Sequence, residues 1–350
     1  MESNRIKVGI SQGDINGIGY EIIIKALLDS RILEICTPVV YGSPKVAAYH
    51  RKALNISNFS FNNIKSPDEA NIKRANIINC LSDEIRVELG KSTQVAGEAS
   101  FTSLERAITD LKKNKLDVLI TAPINKDNIQ SDNFKFPGHT EYLQNQFEAE
   151  EVLMFLVSSL MRIGVVAGHV PIKKVPEFIT EENIVQKLHI MNNSLLVDFG
   201  VRKPRIAVLG LNPHAGDNGV IGNEEKEIII PAIKKARDED IMAMGPYSAD
   251  GFFASGLFKK FDAILAMYHD QGLGPFKALV TDDGVNFTAG LPIVRTSPAH
   301  GTAYEIAGKN EANANSFRNA IYTACDIYKN RNEYANLNSN QMKSYDISEN

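Results

Sequence analysis

Short apolar runs alternate with longer stretches of helical periodicity, and this alternation constrains the fold most. Residues 6–10, 37–41, 116–121, 152–158, 163–167, 205–209 and 263–267 are each strand-sized. Several lack polar alternation, as strands buried on both faces do. Residues 21–28, 97–113, 184–199, 224–237 and 316–328 read as helices. Strand–helix alternation predicts an α/β fold on a mostly parallel sheet. The pair within 152–167 is an exception, because its gap is too short for a crossover and implies an antiparallel hairpin. Residues 55–67, rich in Asn and Ser, read as irregular, and 336–350 as a polar, frayed tail.

Length and charge narrow the classes. A chain of 350 residues suggests about two domains. Thirty-eight basic against 42 acidic residues leave a net charge of −4, which argues against a nucleic-acid partner held on a basic face. A hydrophobic fraction of 43% is enough for a sizeable core. Cys36, Cys80 and Cys325 form no CxxC pair and are odd in number, so a reducing, cytoplasmic setting without disulfides is expected. No secretory signal fits residues 1–5. The apolar stretch 152–168 is broken by Arg162 and two serines and is too short to span a membrane.

The first strand runs into Gly13-Asp14-Ile15-Asn16-Gly17-Ile18-Gly19, then a helix. Such a turn can place anions on helix amides, yet the third glycine of a dinucleotide fingerprint is missing. A tight strand-to-helix turn is the plainer reading, with Asp14 either a cap or a site carboxylate. Three histidines share a more telling position. His169, His214 and His269 each lie just past the carboxyl end of an apolar strand, the edge where open α/β sheets bind ligands. Each alone could serve a loop; three together could hold a divalent metal, with Asp217 and Asp270 nearby to support them. His50 and His189 sit among charged or polar neighbours and read as solvated.

Anion-holding groups also recur on strand-end loops. Thr140 is a plausible helix N-cap with His139 at its mouth, and Lys126 follows the strand at 116–121. Lys277 follows a Gly272-Leu273-Gly274-Pro275 turn, and Asn286 and Arg295 lie in a Gly/Pro-punctuated stretch. Glu141, Glu224 and Glu225 suit helix N-termini. One arginine, two lysines and hydroxyls fit a carboxylate or phosphate ester.

Gln12-Gly13-Asp14, Thr121-Ala122-Pro123-Ile124-Asn125-Lys126, Gly138-His139-Thr140-Glu141, Asn212-Pro213-His214-Ala215-Gly216-Asp217, Tyr268-His269-Asp270-Gln271-Gly272, Gly290-Leu291-Pro292 and Arg295-Thr296-Ser297 through His300-Gly301-Thr302 stand in one order and spacing. In that set the chain resembles the 4-hydroxythreonine-4-phosphate dehydrogenase (PdxA) family over about residues 5–330. The resemblance implies two α/β/α domains like those of isocitrate and isopropylmalate dehydrogenases, with the active site in the interdomain cleft. Residues 1–130 with 290–335 would form a terminal domain, and 131–289 a central domain carrying the metal ligands and the interface of a homodimer with a shared site. His169, His214 and His269 would be the metal ligands, for zinc, magnesium or cobalt. His139, Thr140, Lys277, Asn286 and Arg295 would bind substrate. Gly290, Leu291, Pro292, Ser297, His300 and Gly301 would contact NAD, with NADP an alternative. Lys126 and Asp250 are candidates for proton transfer or support.

The implied reaction is metal-assisted oxidation and decarboxylation of 4-phosphooxy-L-threonine in pyridoxal 5′-phosphate biosynthesis. The sister reaction on 4-phospho-threonate, a metal-dependent hydrolase and a non-catalytic phosphometabolite-binding protein are the alternatives. The first motif departs from the family's usual Pro-Ala or Pro-Ser after the Asp and Pro before the Glu, with Ile15-Asn16 and Tyr20 in their place.

Overall fold

A computed structural model of the chain describes residues 5–339. Among the described residues, twelve strands form one sheet. They are β1 (Ile6–Ser11), β2 (Cys36–Gly42), β3 (Asn62–Ile64), β4 (Asn76–Asn79), β5 (Val118–Thr121), β6 (Leu153–Val157), β7 (Arg162–Ala167), β8 (Ile206–Leu209), β9 (Ala243–Tyr247), β10 (Ala263–Tyr268), β11 (Val285–Ala289) and β12 (Val294–Pro298). Their spatial order is β3-β4-β2-β1-β5-β12-β11-β6-β7-β10-β8-β9. The first six are mutually parallel. So are the last four. Between these blocks β12, β11, β6 and β7 pair antiparallel, so the two blocks run in opposite senses. The α/β class and the hairpin at 152–167 are as the sequence predicts.

Alternating side chains feed the two faces of the sheet. On β5, Val118 and Ile120 join one buried cluster and Leu119 another. The first cluster spans both blocks under the helices Gly19–Leu27, Glu181–Val197 and Asn315–Ser339. On the opposite face the apolar packing is split. One cluster holds Leu104, Leu119, Phe134 and Tyr142; the other holds Leu156, Ile163, Ile264 and Phe276. The seam between them lies over the central antiparallel strands.

Several segments depart from expectation. Residues 55–67 contain the short edge strand β3. The stretch around Gly272–Pro275 is no turn but part of a helix, His269–Leu279, which places His269 at its first position. A Cβ on Gly272 would lie 2.8 Å from Ile163, so close packing on β7 holds this glycine-rich helix in place. The helix Asn315–Ser339 continues into the stretch read as a polar tail, whose remainder lies outside the described residues. Among the described residues no helix is long and apolar enough to cross a membrane.

His50 also departs: it is buried, not solvated. Its Nε2 lies 2.8 Å from the carbonyl of Ile15, and its ring stacks on Tyr20. The Tyr20 hydroxyl donates to Gln12 and accepts from the Ser43 amide. The departures at Ile15 and Tyr20 are thus packed and satisfied around this imidazole. Burial lowers its pKa to about 4. Between pH about 6.5 and 4 the unfolded chain binds a proton here that the native chain refuses, so stability falls as pH drops through that window, by up to about 1.4 kcal/mol per pH unit. Denaturant titrations at pH 7 and 5 should show a shallower loss in His50→Gln than in the parent; equal slopes would remove His50 as the source.

Candidate active site

A cavity of about 260 Å³ opens at the seam. Strand register builds its floor. Asn286 and Thr288 on β11 pair with Leu156 and Met154 on β6, and Asn286 pairs with Ser297 on β12. Residues paired across strands, or two apart along one, share a face, so Met154, Leu156, Asn286, Thr288, Arg295 and Ser297 project together. All but Thr288 line the cavity, and Thr288 bonds Arg295 from below.

Arg295 dominates the electrostatics. It is 2% exposed, and its guanidinium donates to the hydroxyls of Thr121 and Thr288. Among the described residues no carboxylate forms an ion pair with it. Burial pushes its pKa down to about 10, with Glu141 opposing, so it remains a cation at neutral pH. Lys126 and Lys277 also line the cavity, against a single carboxylate, Glu141. A buried, unpaired charge is costly unless a ligand of opposite sign completes it.

His139 opens the helix His139–Gln146, with Gly138, not Thr140, at its N-cap. Thr140 lies in the first turn, where free amides favour an anion. Burial, then Arg295 and Lys126, hold the His139 pKa well below its ordinary value, so it is neutral at pH 7. Its Nε2 is buried without a partner, as are Asn286 Oδ1, His300 Nε2 and Glu141 Oε2. Four such atoms around one cavity mark a site shaped for a polar ligand. Burial raises the Glu141 carboxyl, but its contact with His169 and its own amide outweigh this and leave it below the ordinary value.

His169 and His269 meet at the cavity with ring centroids 5.7 Å apart. Nδ1 of His269 lies 2.7 Å from Asp270, and Nδ1 of His169 lies 3.5 Å from Glu141. With a carboxylate behind each Nδ1, the Nε2 atoms are the ones that could act as metal donors. His214 is not with them. After β8 the backbone takes five left-handed residues from His214 to Asn218, four of them non-glycine, and each of those four costs about 1–2 kcal/mol. Asn212 anchors this run by donating to Glu224 and Glu225. His214 is exposed there, as is Asp217. Asp250 lies outside the cavity, its pKa held down by the Ser248 hydroxyl, the Gly251 amide and nearby His214. Among the described residues of one chain, no three His, Cys, Asp or Glu side chains are placed to share a metal. One chain therefore supplies two imidazoles and does not complete a three-histidine site.

The residues proposed for the cofactor separate as well. Ser297, His300 and Gly301 line the cavity. Gly290, Leu291 and Pro292 do not, because they form the far end of the β11–β12 hairpin. Gly290 has φ +89°, and a Cβ there would lie 2.6 Å from the Glu151 carbonyl; Leu291 is core. Thr121 and Thr288 seat Arg295, a role the sequence does not signal because a strand threonine is commonplace.

The model of the pyridoxal phosphate biosynthetic protein PdxA family matches residues 34–324. The chain is 55% identical over 333 residues to a 4-hydroxythreonine-4-phosphate dehydrogenase of Bacteroides thetaiotaomicron, covering 95% of this chain and 91% of that protein. It is 38% identical to a D-threonate 4-phosphate dehydrogenase of Cupriavidus necator, covering 93% and 98%. The crystal structure of a 4-hydroxythreonine-4-phosphate dehydrogenase from Klebsiella pneumoniae superposes with a TM-score of 0.81 at 31% identity, covering 94% and 99%.

Proposed function

Because the chain belongs to the PdxA family of pyridoxal phosphate biosynthetic proteins, we propose that it is a dehydrogenase that oxidises 4-phosphooxy-L-threonine with NAD and releases CO₂. The product is 3-amino-2-oxopropyl phosphate. The observation that carries this reading is the buried Arg295, paired with no carboxylate, in a cavity of three cations and one carboxylate.

Arg295, Lys126 and Lys277 bind the phosphate and carboxylate, with Asn286 and the helix mouth at His139 and Thr140 fixing orientation. Neutral His139 offers Nε2 without adding a fourth positive charge. Ser297, His300 and Gly301 form the rim for the nicotinamide cofactor. A homodimer completes the centre: His169 and His269 from one copy and His214 from a second would hold one divalent ion. Bound there, such an ion would supply a Lewis acid to the substrate hydroxyl. Val220, 80% exposed, and Ile221 beside the His214 loop support burial of that surface by another copy. Lobe boundaries near residues 130 and 290 fit the pairing of β5 with β12 and of β6 with β11. Free thiols at Cys36, Cys80 and Cys325 support a reducing, cytoplasmic setting.

NADH absorbance with added divalent metal tests the reading. Turnover of 4-phosphooxy-L-threonine in preference to 4-phospho-D-threonate is expected. The reverse preference would move the chain to the sister activity, and no NADH from either would favour a hydrolase or a binding protein.

A further inference from the structure

The first glycine motif contributes no residue to the cavity, yet it lies directly behind two segments that do. Gly13, at φ +68°, and Gly17 let backbone touch backbone: a Cβ would lie 2.4 Å from the Pro123 carbonyl at Gly13 and 2.7 Å from the Thr302 carbonyl at Gly17. The Asp14 amide donates to Pro123 O at 2.9 Å, and the Ile18 amide to Thr302 O at 3.0 Å. Asp14 itself is wholly buried. Its Oδ1 accepts from the Asn16 amide at 2.8 Å. Its Oδ2 accepts from Asn128 Nδ2 at 2.8 Å and from the Tyr304 hydroxyl at 2.7 Å. Asn128 closes the loop that carries Lys126, and Tyr304 closes the loop that carries His300 and Gly301. Asn128 Oδ1 is buried without a partner, so its amide nitrogen is what ties this side chain down.

We propose that Asp14 is a positioning residue that sets the substrate-side loop and the cofactor-side loop against each other through one shared carboxylate oxygen. This rests on the assignment of Lys126 to substrate and of His300 and Gly301 to NAD. A carboxylate suits the task because its two oxygens accept from all three donors, whereas an asparagine would turn its NH2 toward either the Asn16 amide or the Asn128 and Tyr304 donors. Asn16 fixes the turn from the other side, accepting from the Glu88 amide and donating to Lys91 O and Thr93 Oγ1.

The test is steady-state kinetics of the full-length protein with NAD and 4-phosphooxy-L-threonine, alongside thermal melting. Tyr304→Phe removes the donor to Asp14 Oδ2 and the acceptor of a long, 3.4 Å bond from Asn128 Nδ2. The bond to the charged acceptor dominates, so KM for NAD should rise about tenfold, with kcat and substrate KM within about twofold. Asn128→Ala should raise substrate KM and spare that for NAD. Asp14→Asn should raise both, and if it fails to fold the two milder variants still decide. An unchanged KM for NAD in Tyr304→Phe, or melting-point losses with no split between the two KM values, would overturn the positioning role while leaving the activity assignment intact. A parent protein without NAD-dependent turnover would overturn both.

Discussion

Replacing Arg295 with methionine should lower kcat/KM for the phosphorylated substrate by about 10²- to 10³-fold, the usual cost of truncating one partner of a desolvated charge pair. The same change should leave thermal stability equal or higher without ligand. The two effects share a cause. In the free protein the guanidinium is buried with two threonine hydroxyls and no ion-paired carboxylate, Glu141 acting on it only through the cavity. A methionine of similar length removes that desolvation cost and retains the packing. With substrate present, the anion that completed Arg295 loses its partner. Lys277, exposed at the rim, is expected to matter less, with Lys277→Ala mainly raising substrate KM. Kinetics paired with calorimetry check the contrast. A large stability loss with unchanged kcat/KM would make Arg295 a structural residue.

His214→Ala should abolish turnover and reduce bound metal although His214 lies outside its own chain's cavity. The left-handed run that carries it is costly to form and leaves the imidazole exposed beside Val220. Strain of this kind persists where the surrounding structure enforces it, as Asn212, Glu224 and Glu225 do here, and it gathers at functional sites. If the exposed imidazole instead serves no second copy, the alanine variant will retain parental rates and metal content.

The sequence displayed the buried half of this fold more clearly than its working half. β6 and β10 are continuous apolar runs and read directly as strands. β11 and β12 were missed because Asn286, Thr288, Arg295 and Ser297 make one face polar for the cavity, and Gly and Pro punctuate their ends. β3 and β4, short and asparagine-rich at the sheet edge, lack an apolar signature. The strand-end position of the three histidines was legible, and it brought His169 and His269 together. It could not tell that the backbone after β8 turns left-handed and carries His214 away. His50 was misread because its sequence neighbours are charged, whereas Tyr20 and Ile15, thirty or more residues distant, enclose it.

The proposed site takes Arg295, His169 and His269 from one chain and His214 from another. Mixing inactive His214→Ala with inactive Arg295→Met chains, after dissociation and reassembly, tests it directly. Random pairing makes about half the dimers hybrid, each with one intact site, so about a quarter of parental NADH formation should return. Hybrids that form but remain inactive would contradict a site shared between copies.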